Sequence, residues 1–68
     1  MDEEAFNLST RQFLKRLGVT SQRAIEQGVR AQIDEGRLRG DERLPARASV
    51  TVEGLPEPIV IEGEIALS

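Results

Sequence analysis

Apolar residues recur with the period of a helix along the first half of the chain and with the period of a strand along the second. Phe6, Phe13, Leu14 and Leu17 lie at offsets of 7, 8 and 11, which 3.6 residues per turn gathers on one face. This spacing predicts an amphipathic helix over 5–17. Ser9 with Gln12 three residues later has the capping-box pattern, and Leu8 with Phe13 would form a hydrophobic staple around it. Residues 2–6 are then either a separate turn or an extra turn of helix. Gly18 reads as the stop, because glycine enters the left-handed conformation without steric cost, and Val19 stands where a Schellman closure would set it against Leu14. A second helix is expected over 21–35, capped by Thr20 or Ser21 and ended by Gly36. Its stripe of Ile25, Val29 and Ile33 is narrow, and Ala24, Gly28 and Ala31 widen it only with small side chains.

Residues 36–44, GRLRGDER followed by Leu44, read as a charged connector in which Leu38 is the plug toward a core. Its glycines follow a helix instead of preceding one, so it lacks the form of a phosphate-binding loop. From Pro45 the period changes to two. Ala46, Ala48, Val50 and Val52 alternate with Arg47, Ser49, Thr51 and Glu53, predicting a strand over 46–53. Gly54-Leu55-Pro56-Glu57-Pro58 is the turn, and Ile59, Ile61, Gly63, Ile65 and Leu67 mark a second strand over 59–67. The expected fold is α+β: a two-helix hairpin followed by a C-terminal antiparallel β-hairpin, ααββ, in one small domain spanning 1–68. An isolated hairpin is marginal in water, so its apolar face needs a cover.

Composition narrows the chemistry sharply. The 68 residues contain no Cys, His, Trp or Tyr, which removes disulfides, thiol redox chemistry and the structural zinc sites that stabilise many small domains. The chain is 38% hydrophobic and 31% charged, a balance that folds. Ordering costs about 1.5 kcal/mol per residue and nearly cancels burial at this size, which points to association with a second copy or another protein. No apolar run approaches the length of a membrane span, and Met1-Asp2-Glu3-Glu4 is the reverse of a basic signal-peptide start. A cytoplasmic protein is therefore the expectation. The Asn7-Leu8-Ser9 sequon has a use only in secretion, for which nothing argues.

Among potential catalytic groups, Glu62 and Glu64 share one strand face, about 7 Å apart by strand rise. Acid–base work or cation binding would need a concave site around them, which so short a chain hardly offers. Lys15 has no evident apolar pocket, and no hydroxyl has a histidine to activate it. No enzyme, cofactor, metal or small-molecule substrate is expected.

The bases are unevenly placed. Arg11, Lys15, Arg16, Arg23 and Arg30 stand against the single acid Glu26 between Ser9 and Ile33, and Glu26–Arg30 and Arg30–Asp34 are four-residue pairs of a solvated helix face. The competing reading is nucleic-acid binding: Leu14, Gly18, Val19 and Thr20 before the second helix resemble a helix-turn-helix, with Gln22, Arg23, Glu26 and Gln27 as groove contacts and the hairpin as a wing. Ala24 holds the place where that turn commonly has a larger apolar residue, and after Arg47 the chain carries four acids and no base, which repels phosphate. Residues 1–47 sum to +1 and residues 48–68 to −4, so basic helices and an acidic hairpin are expected.

The blocks EEAFNLSTRQFLKRLGVTSQRAIE, GRLRGDERLPA, VEGL and IEGEIAL, in order over nearly the whole chain, resemble a family of small bacterial proteins known as a domain of unknown function. The resemblance implies a stand-alone domain and carries over no activity or site residues. Ala24 and Gly28 stand where that pattern has a Glu and a better helix former. The functional expectation is a small non-enzymatic interaction module. A homodimer would join through an edge strand, where no Lys guards the edge, or through the face with Val60 and Ala66. Arg11, Lys15, Arg16 and Arg23 would be the contacts if the partner were anionic.

Overall fold

The computed structural model describes residues 1–68 as one helix and two strands, α1 over Glu3–Asp34, β1 over Arg43–Val50 and β2 over Ile59–Ala66. They fall into two compact units, Met1–Arg37 and Leu38–Ser68. The fold is α+β, but the two-helix hairpin is replaced by a single 32-residue helix.

Both ends of α1 follow from local chemistry. Asp2 is the N-cap, with extended backbone and a carboxylate that accepts the Ala5 N–H at 3.1 Å. Glu3 and Glu4 follow in the first turn, where negative charge meets the positive end of the helix dipole. At the other end Gly36 takes φ 78°, its N–H bonds to the Ile33 carbonyl at 3.0 Å, and the Arg37 N–H bonds to the Gln32 carbonyl at 2.9 Å. This pair of bonds is a Schellman closure, with Gly36 in the left-handed position as its sequence context predicts.

The expected break at Gly18 does not form. Only Gly36, Gly40 and Gly54 have positive φ, so Gly18 is an ordinary helical residue, and Thr20 and Ser21 lie inside the helix. Ser9 is not a cap either: its hydroxyl donates to the Ala5 and Phe6 carbonyls at 2.8 and 3.1 Å, and Thr10 likewise donates to Phe6 at 2.8 Å. A helical Gly costs only about 1 kcal/mol relative to Ala. Turning back at Gly18 would forfeit helical hydrogen bonds, and the folded-back segment would offer in return only the narrow stripe of Ile25, Val29 and Ile33, widened by the small Ala24, Gly28 and Ala31. Continuation is the cheaper outcome, and without the turn there is no helix-turn-helix.

The hairpin unit matches the predicted alternation, with β1 shifted toward the N-terminus relative to 46–53. The strands pair antiparallel from Arg43↔Ala66 to Val50↔Ile59. Leu44, Ala46, Ala48 and Val50 share a face with Ile59, Ile61, Gly63 and Ile65. The ladder extends to Glu42, whose carbonyl accepts the Leu67 N–H at 2.9 Å, so even-numbered β1 residues occupy hydrogen-bonded pairs and odd-numbered ones do not. Pro45 therefore sits opposite Glu64 at a site where no ladder donor is needed, and β1 passes through it. Past Val50 the chain leaves the sheet, and a turn closes with Leu55 N–H on the Val52 carbonyl at 3.1 Å and Gly54 at φ 100°. Positive φ at that third position is what a type II turn requires.

No side chain in either unit is buried. Leu38, expected as a core plug, is half-buried.

Candidate functional site

At about 100° per residue, Arg16, Arg23 and Arg30 fall within about 40° of one another on α1, whereas Arg11 and Lys15 project from a different side. The helix thus separates Arg11 and Lys15 from Arg16 and Arg23. Gln22, Arg23, Glu26 and Gln27 are mid-helix residues, with no helix start there to present them to a groove. The expected Glu26–Arg30 and Arg30–Asp34 ion pairs are replaced by a Gln22 amide donating to Glu26 at 3.4 Å. None of the five bases from Arg11 to Arg30 is in an ion pair.

In the hairpin, Val60 pairs with Ser49 and Ala66 with Arg43, on the face opposite the apolar one. Glu62 and Glu64 lie between them, so Val60 and Ala66 do not form one patch. Arg47 stands directly across from Glu62 with Nε–Oε1 3.9 Å, and Arg43 reaches diagonally to Glu64 with Nη1–Oε1 3.2 Å. Each carboxylate thereby faces a guanidinium on an open strand surface. Glu62 borders a shallow depression with Pro45, Ala46, Arg47 and Gly63, from which Glu64 is absent. A second depression, lined by Glu3, Glu4, Asn7, Leu8 and Arg11, lies on a single helix.

One electrostatic feature escaped the sequence reading. The Glu42 carboxylate curls back onto its own connector and accepts the N–H groups of Arg39 at 2.8 Å, Gly40 at 2.9 Å and Asp41 at 3.2 Å. These bonds, the Arg39 amide first and the Gly40 amide next, hold its carboxyl down to about 2 from an ordinary 4.5. Gly40 at φ 110° lets the backbone turn its amides inward. Since Glu42 fills this nest, it is a structural clasp leading into β1. An acid two residues after a glycine in the connector was the available signal.

The charge distribution also differs from the expected split. Unit 1, residues 1–37, has six bases and six acids, net zero, with acids at both ends of α1 and bases in the middle. Unit 2, residues 38–68, has three bases and six acids, net −3, because Arg39, Arg43 and Arg47 belong to it.

Large apolar side chains are exposed on both units. Phe6 is 55% exposed, Phe13 50% and Ile61 61%, and Leu14, Leu17, Ile25 and Ile33 of α1 are exposed as well. The candidate site is therefore the pair of uncovered apolar faces, one on each unit.

A helix followed by an antiparallel β-hairpin defines a small α+β protein. The chain matches the Family of unknown function (DUF6494) over residues 1–68 and belongs to that family. No curated protein and no solved structure matches it. No helix is long and apolar enough to cross a membrane.

Proposed function

We propose that this chain is a non-enzymatic protein-interaction module that works as a homo-oligomer. The observation that carries the reading is the absence of any buried side chain. A helix draws most of its stability from packing its amphipathic face, and a two-stranded hairpin alone is marginal. Both units thus need a cover. The non-enzymatic part rests on Glu62 and Glu64 facing arginines on an open surface, and on a sequence without His or Cys. Light scattering coupled to size exclusion tests the proposal. We expect at least twice 7.5 kDa, and a mass of 7.5 kDa across the whole accessible concentration range would overturn it.

A further inference from the structure

We infer that Pro45 is an edge block that keeps copies of this hairpin from adding to one another, strand by strand, into a continuous sheet. The inference concerns sheet edges alone and stands whether or not copies associate through their apolar faces. A two-stranded sheet has two free edges, and each presents the backbone groups that its own ladder leaves unused. Even-numbered β1 residues and odd-numbered β2 residues exchange the ladder bonds, so the N–H and C=O groups of odd-numbered β1 residues and even-numbered β2 residues point outward. The β2 edge has every donor. The β1 edge lacks one, because position 45 is proline.

The side chains at the two edges favour the joint that Pro45 prevents. If the β1 edge of one copy lies beside the β2 edge of another in the register that β1 and β2 already use, Arg47 stands next to Glu62 and Arg43 reaches Glu64. The apolar alternation also runs on across the joint. Such a joint is heterologous and leaves a fresh edge at each end, so it repeats without closing. In it the pairs between odd β1 and even β2 residues become the hydrogen-bonded ones, and Pro45 falls opposite Glu64 with no N–H for the Glu64 carbonyl. The other joints between copies are opposed by charge. β2 against β2 sets Glu62 and Glu64 among their own kind, and β1 against β1 does the same with Arg43 and Arg47. The position of the proline is specific as well. At an even-numbered β1 position it would remove a bond from the molecule's own ladder, whereas at 45 it removes one only from a neighbour's.

Restoring the donor tests this in the full chain. Pro45→Val should leave the hairpin folded, because an N–H at 45 enters no bond within the molecule. It should raise the sedimentable fraction roughly tenfold or more over wild type at equal concentration, with the infrared amide I band of intermolecular sheet. Adding Ser49→Pro should return the protein to wild-type sedimentation, since the Ser49 N–H also faces the free edge. Assembly that persists in the double variant comes from the added valine side chain and overturns the inference. So does a Pro45→Val protein that sediments as wild type with its cross-strand nuclear Overhauser contacts intact, or one that loses those contacts. An oligomer joined through apolar faces sediments alike in the wild type and the double variant, so the association proposed above stands or falls separately.

Discussion

Single residues set the ends of the elements, and their effects are the most local to test. Glu42 is the sharpest case: its folded carboxyl titrates at about 2, below the ordinary 4.5, because three amides stabilise the charged form. A depressed carboxylate contributes stability in full above 4.5, and that contribution is lost as pH falls through about 2. We expect carbon-detected NMR titration to place the Glu42 midpoint well below the ordinary 4.5. Glu42→Gln should speed hydrogen exchange at the Arg39 and Gly40 amides, since the charge-assisted bonds are gone. Gly36 offers a second test. With φ at 78°, Gly36→Ala should cost about 1–2 kcal/mol in chemical denaturation, as expected of a side chain forced into left-handed backbone. The role of Gly36 was legible because the stop is written in adjacent residues. That of Glu42 was not, because its nest exists only once residues 39–41 have curled.

For the helix, the outcome at Gly18 separates one long element from two short ones. A Cβ built on Gly18 or Gly28 meets nothing within 4 Å, so neither glycine is required by close packing within the chain. Gly18→Ala should therefore stabilise the protein by about 1 kcal/mol in thermal melts followed by circular dichroism. A two-helix protein with Gly18 in the left-handed position would instead lose stability. The hairpin makes a quieter prediction. Arg47 and Glu62 are exposed and face each other, so Arg47→Glu should cost only about 0.5 kcal/mol, and the exchange Arg47→Glu with Glu62→Arg should recover most of it. The alternation of apolar residues made the hairpin and its inner face readable in advance. The start of β1 was misplaced because Pro45 looks like a boundary, until the pairing puts it at a site needing no donor.

For the whole molecule, stability and association are one question, since neither unit buries a side chain by itself. If copies cover one another, the unfolding midpoint rises with protein concentration, as it must when association favours only the folded state. Calorimetry over a hundredfold concentration range should show this rise, and a midpoint independent of concentration would contradict it. The candidate surface was only half legible. Phe6, Phe13 and Leu17 announced an apolar face, but that it stays exposed did not follow from its spacing. The sequence alone determined what depends on neighbours: helix period before Gly36, strand period after Pro45, the Schellman stop, and a side-chain repertoire without His or Cys. The three-dimensional structure decided what depends on distant residues. A glycine in a helix is a near balance between stopping and continuing, about 1 kcal/mol either way, and it tips according to whether the folded-back segment has area to bury. Here Ile25, Val29 and Ile33 make only a narrow stripe among the small Ala24, Gly28 and Ala31, so α1 runs through and its apolar face stays exposed.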